Sequence, residues 1–245
     1  MSDIHTEVVT YSGDGIEMKG YMAWDSSQDG PRPGVLVVHE WWGCNDYSQR
    51  RARMLAEAGY TGMAIDLYGD GINAANPDEA GELMNARIDD MDGTRARFMA
   101  ALDTLITHDT VDENRTGAIG YCFGGGVVTH MARMGAPLDV TGSFHGAVGL
   151  AAVDGPDHID CRIMVYNGEA DVLIDEGQIS GFKAQMEKTG ASYDFVQLPG
   201  ALHGFSNPAA TTNGQKYGLP LAYNELADES SWTHLRLTME HVFAQ

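Results

Sequence analysis

The sequence predicts an α/β fold: a mostly parallel, doubly wound sheet flanked by helices, with antiparallel N-terminal strands, in one domain spanning 1–245. Three observations predict it. From Val35 onward, strand-like and helix-like segments alternate, as in βαβ units. The run Val35-Leu36-Val37-Val38 is unbroken in its apolarity, as in strands covered on both faces. A chain of 245 residues that is 43% apolar and 20% charged can bury a full core and is not globally disordered.

Each element has a local cause. Strand-like stretches near 5–11 and 16–24 flank Ser12-Gly13-Asp14-Gly15, a tight-turn composition. The apolar strand at 35–39 leads to a helix over 46–58, capped by Asn45 and stopped by Gly59, and then to a strand at 61–66. Asn76-Pro77-Asp78-Glu79 starts a helix over 77–89, because Asn caps, Pro fits the first turn and acids suit its positive end. A helix at 93–108, a strand at 116–121, a helix at 123–134 ending at Gly135 and a strand near 139–144 follow. A strand at 162–167, a helix at 175–189 and a strand at 192–198 lead through a loop to a last helix near 229–243. Reactive groups in such a sheet belong on the turns at the strands' carboxyl ends.

Charge excludes several functions. Fifteen Lys and Arg against 35 Asp and Glu give a formal −20, a field that repels phosphate backbones and anionic lipid. Neither nucleic acid nor a membrane surface is an expected partner. No apolar run approaches the ~20 residues of a membrane span, and the first residues lack the basic and apolar regions of a signal peptide. The cysteines, Cys44, Cys122 and Cys161, are odd in number and lack CxxC spacing, so neither a disulfide framework nor a metal site is expected. The expectation is a cytoplasmic monomer in a reducing compartment.

Gly120-Tyr121-Cys122-Phe123-Gly124-Gly125-Gly126 carries the most chemistry. It joins a strand to a helix, and its G-x-C-x-G core is a nucleophile-elbow pattern with Cys in place of Ser. The flanking glycines let a sharp, strained turn close, and the following helix directs its amides and dipole at the thiol, favouring thiolate. Taken alone, the stretch reads equally as a buried cysteine in a glycine-rich turn. A nucleophile needs a base, and the base an orienting acid. Asp171 follows the strand at 162–167 and His203 the strand at 192–198, so nucleophile, acid and histidine come in the chain order of α/β-hydrolases. Trp42 beside an active-site turn suits an apolar acyl pocket, and core packing competes with it. His145, after the strand near 139–144, is placed to reach the same cleft or to serve structure. His39 reads as a strand-end histidine outside the chemistry.

Gly-Tyr-Cys-Phe-Gly-Gly, His39-Glu40-Trp41-Trp42-Gly43, Asp66-Leu67-Tyr68 and His203-Gly204-Phe205 together resemble the dienelactone hydrolase family of α/β-hydrolases, over most of the chain. The resemblance implies a cofactor-free esterase acting on small ester or lactone substrates, with Cys122, His203 and Asp171 as its triad. It also implies that Glu40 governs the proton of the Cys122 thiol, and that the backbone amides of Trp41 and Phe123 form an oxyanion hole. One departure matters. Family members that hydrolyse a carboxylate-bearing lactone hold it with arginines. Four residues past the histidine, this chain has Asn207, and the helix after Pro77 offers no arginine before Arg87. Asparagine cannot supply the forked positive charge that recognises a carboxylate. The expected substrates are neutral or modestly polar. A non-hydrolytic protein using Cys122 as a redox sensor, or its cleft for binding, is the competing class. A lipase is disfavoured by the acidic, polar segment 69–92.

Overall fold

A computed structural model describes residues 2–245, which form two compact units, one ending at Ala118 and the other beginning at Ile119. In the first, the chain runs β1 (Ile4–Gly13), β2 (Ile16–Asp25), β3 (Arg32–Val38), α1 (Asp46–Glu57), β4 (Thr61–Ile65), α2 (Pro77–Ile88) and α3 (Met91–Ile106). Its strands lie in the order β1-β2-β4-β3. The β1–β2 pair is an antiparallel hairpin that closes at Gly13 and Ile16. The two turn residues between them, Asp14 and Gly15, have φ of 54° and 70°, the left-handed geometry whose twist suits a two-residue hairpin. β2 joins β4 antiparallel and β3 joins β4 parallel, so the sheet changes sense at β2. Every residue of β3 and β4 is buried, which accounts for their unalternating apolar sequences.

β5 (Val111–Tyr121) carries the chain into the second unit. There follow α4 (Phe123–Arg133), β6 (Val140–Phe144), a single 3₁₀ turn at 148–151, β7 (Arg162–Gly168), α5 (Glu176–Thr189), β8 (Tyr193–Leu198), α6 (Ala210–Tyr217) and α7 (Glu225–Phe243). The strand order is β5-β6-β7-β8, with β6–β7 and β7–β8 parallel. The expected caps Asn45 and Asn76 accept from the amides of Tyr47 and Glu79, and Asp175, expected inside its helix, is instead the cap of α5 and accepts from Gln178. No helix among the described residues is long and apolar enough to cross a membrane.

Three elements differ from expectation. β5 begins five residues before the anticipated 116, because only its last six residues are buried without interruption and the apolar pattern shows only that half. α7 begins at Glu225, where Asn224 caps it, rather than near 229. α6 was expected as loop. Its Thr-Thr-Asn-Gly sequence is a poor helix former. Packing holds it instead: a Cβ on Gly214 would stand 2.4 Å from the Leu221 carbonyl oxygen, so glycine lets the helix settle on the chain that follows.

Candidate active site

Cys122 sits between β5 and α4 with φ 53° and ψ −117°, a conformation that L residues rarely adopt. The surrounding glycines allow it. A Cβ on Gly120 would meet the Gly124 carbonyl oxygen at 2.1 Å, and one on Gly125 would meet the Gly146 Cα at 2.7 Å. The turn can close only where those positions carry no side chain. The Cys122 amide donates to the Phe144 carbonyl (3.0 Å) and to His145 Nδ1 (3.1 Å), which ties the elbow to the end of β6. The thiol is a free one and half-buried.

The acid and the histidine are brought together by a second missing side chain. A Cβ on Gly168, the last residue of β7, would stand 2.3 Å from the Ala201 carbonyl oxygen. With glycine there, that oxygen accepts from the Ala170 amide at 3.0 Å and the loops after β7 and β8 lie against each other. His203 Nδ1 is consequently 2.8 Å from Asp171 Oδ2, and Asp171 Oδ1 accepts from the Leu173 amide at 2.9 Å. Both Asp171 oxygens are thus occupied, and its side chain is wholly shielded from solvent.

His203 Nε2 is buried and makes no hydrogen bond of ordinary geometry within the described residues. The Cys122 thiol nevertheless acts on it. Burial alone would lower the imidazole's pKa, but the charge of the Cys122 thiolate, the hydrogen bond and charge of Asp171 and a bond toward Cys122 outweigh that cost. Together they raise it to about 10. Cys122, Asp171 and His203 are therefore assembled in one unit, on three strand-end turns.

His145 follows β6 with φ 40° and is fully buried. Its Nε2 lies 2.8 Å from Ser206 Oγ, and its ring meets the His203 ring edge-on with centroids 5.0 Å apart. Both ring nitrogens are engaged within the chain, which leaves only carbon edges for any substrate. Asn207 is buried, and its Oδ1 accepts from the Ala209 amide at the start of α6.

Phe123, the first residue of α4, is fully buried in the second unit, and the remaining expected site residues belong to the first. Glu40, just past β3, is 6% exposed. Its carbonyl accepts from His39 Nδ1 at 2.5 Å, while His39 Nε2 accepts from the Leu67 amide at 3.3 Å. The Trp41 carbonyl accepts from the Tyr68 hydroxyl at 2.8 Å, and Trp41 and Trp42 meet edge-to-face at 5.0 Å. Both peptide planes flanking Trp41 are thereby fixed. Tyr68 is held in turn. Arg97 donates to the carbonyls of Leu67 and Tyr68, and the buried Asp66 carboxylate accepts from the amides of Lys19, Tyr68, Gly69 and Gly71. Arg87 Nη1 lies 3.7 Å from Asp14 and 3.6 Å from Asp90, so its charge already faces two carboxylates. The sequence reading missed His39, Tyr68 and Asp66 as organisers of this loop and did not single out Ser206. The Asp66-Leu67-Tyr68 signature pointed at the place without revealing the bonds.

This arrangement of a mostly parallel sheet with an elbow between strand and helix is the α/β-hydrolase fold. A crystal structure of a dienelactone hydrolase-like promiscuous phosphotriesterase from metagenomic libraries is 30% identical with a TM-score of 0.89, covering 98% of this chain and 99% of that one. A solved structure called m3DLH is 33% identical with a TM-score of 0.91 at the same coverage. Protein usf of Aquifex pyrophilus is 27% identical over 82% of this chain and 87% of that protein. The profile of the dienelactone hydrolase family matches residues 18–243, and the chain belongs to that family. It is a hydrolase of the carboxylic-ester class.

Proposed function

We propose that the chain hydrolyses small carboxylic esters or lactones through an acyl-thioester on Cys122. The observation that carries this reading is the His203 imidazole, held by Asp171 on one side and raised by Cys122 on the other. A histidine whose pKa is raised to about 10 is protonated at neutral pH and can hand its proton to a leaving group. In the first step the Cys122 thiolate attacks the carbonyl carbon. The carbon–oxygen bond to the leaving group then breaks, and His203 Nε2 gives that alkoxide its proton. In the second step His203 takes a proton from water, the hydroxide attacks the thioester, and the thiolate leaves as the carboxylic acid forms. Asp171 keeps the imidazole oriented throughout.

By family resemblance, the amides of Trp41 and Phe123 stabilise the tetrahedral oxyanion, and Glu40 exchanges a proton with the thiol. His39 and Tyr68, which fix the two peptide planes around Trp41, support the first of these roles. Trp42 walls the acyl pocket. The pairing of Arg87 with Asp14 and Asp90, together with Asn207 past the histidine, supports neutral over anionic substrates. The three free cysteines are consistent with a cytoplasmic site of action.

The test is a burst of product with a chromogenic acetate ester, followed by mass-spectrometric detection of acylated Cys122. A cleft used only for binding or redox sensing gives neither. A phosphotriester is the second substrate class to assay, because a relative at 30% identity is named for that activity.

A further inference from the structure

We infer that His145 is a positioning residue, a neutral imidazole that fixes the nucleophile elbow to the loop carrying His203. This rests on the reading of Cys122 as nucleophile. A backbone amide can only donate, so the bond from the Cys122 N–H requires a lone pair on His145 Nδ1. The ring's single proton then sits on Nε2 and is donated to Ser206 Oγ, three residues past His203. One ring therefore bonds the backbone of the nucleophile on one side and the histidine loop on the other.

Ring contacts complete the clamp. His203 and Phe205 meet His145 edge-on at 5.0 and 5.1 Å, and the Tyr121 ring lies at 6.1 Å. The His145 amide donates to the Tyr166 carbonyl at 2.8 Å, which anchors its backbone to β7. Titratable rings beside it include His203 and Tyr121. Of these, His203 is the one whose pKa is raised. A protonated His145 would lose one of the two acceptors that the Cys122 amide uses, and would place a second cation 5.0 Å from the His203 ring. The Cys122 amide thus selects the uncharged form.

Of the four non-glycine residues with positive φ among those described, two are Cys122 and His145, bonded to each other. Unfavourable backbone at both positions persists only where surrounding contacts over-determine it. The bond between them is such a contact.

The test separates positioning from substrate contact. His145→Phe keeps the ring and its edge-on packing but removes both nitrogens. It is expected to lower kcat about ten-fold or more with KM within about two-fold, since small misplacements of reacting groups cost at least that much. It should also slow iodoacetamide alkylation of Cys122 at neutral pH about three-fold or more. His145→Asn, whose amide oxygen can accept from the Cys122 N–H, should recover much of the alkylation rate. A folded His145→Phe protein with unchanged kcat and alkylation, a rise in KM alone, or an Asn variant no better than Phe overturns the proposal. If His145→Phe does not fold, Ser206→Ala carries the test, and an unchanged alkylation profile there overturns it equally. Alkylation needs no ester, so it is read independently of substrate. If Cys122 in the unaltered protein reacts no faster than Cys44 and Cys161, the nucleophile reading falls, and this proposal with it.

Discussion

Asp171 Oδ2 and His203 Nδ1 stand 2.8 Å apart because Gly168 leaves room for the Ala201 carbonyl between their loops. The pair is buried. Asp171→Asn should keep the loop geometry while weakening the hold on the imidazolium. Turnover of a good ester is expected to fall by ~10²–10⁴-fold, the worth of a positioned acid–base group. Steady-state kcat against the unaltered protein, with circular dichroism to check the fold, measures it.

The pH dependence of stability carries a definite sign. His203 has a folded pKa raised to about 10, against about 6.5 in an unfolded chain. Between those values the folded state holds a proton that the unfolded state has released. Its stabilisation is therefore complete below about pH 6.5 and lost as pH rises through about 10. The gap in Tm between the unaltered protein and His203→Gln should shrink steadily across that window. A gap that widens with pH contradicts the assignment.

Thiol reactivity ranks the three cysteines. Burial pushes Cys44 and Cys161 up to about 12, which leaves almost no thiolate near neutrality. Cys122 is the half-buried one, beside a histidine. Iodoacetamide at pH 7.5 (about one unit above free imidazole) should modify Cys122 alone at early times, read by peptide mass spectrometry. Cys122→Ala should abolish ester hydrolysis and leave the fold intact.

Asp66→Asn tests the loop that holds Tyr68. One carboxylate oxygen accepts from Tyr68 and Gly69, the other from Lys19 and Gly71. An asparagine amide would set donors against donors on one of those sides. With charged hydrogen bonds worth ~1.5–3 kcal/mol each, a loss of about 3 kcal/mol or more is expected in urea unfolding.

Substrate charge gives another outcome. A short neutral ester or lactone should show a higher kcat/KM than a dienelactone carboxylate, and Asn207→Arg should narrow the difference. The gain should shrink with salt, since Coulomb attraction is screened. The same substitution removes the bond that Asn207 Oδ1 accepts from the Ala209 amide, so a loss of about 1 kcal/mol in stability should accompany it. A preference of about ten-fold or more for the anionic lactone in the unaltered protein (about 1.4 kcal/mol) contradicts the charge argument and makes Arg87→Ala the next variant.

How much of this the sequence carried depends on whether the cause is local. Asn45 and Asn76-Pro77 announced their helices because a cap is a contact within four residues. The unbroken apolar run 35–38 in β3 announced a covered strand because burial on both faces removes alternation. α6 did not, because the Leu221 carbonyl that decides it lies outside its own sequence. At the site, the chain order Cys122, Asp171, His203 was legible, since strand-end turns of such a sheet share an edge. The bond from the Cys122 amide to His145 was not. It joins residues 23 apart through a backbone donor, and no side-chain pattern records that.

The two strand-end histidines carry their single protons on opposite nitrogens. His145 holds it on Nε2 and His39 on Nδ1, because the Leu67 amide occupies His39 Nε2 as the Cys122 amide occupies His145 Nδ1. Burial lowers the pKa of His39, outweighing the Glu40 carbonyl and Asp66, so its contribution is present above about pH 6.5 and disappears as acid forces a proton onto it. His203 behaves in the reverse sense. His39 in the first unit therefore costs stability toward acid, and His203 in the second costs it toward alkali.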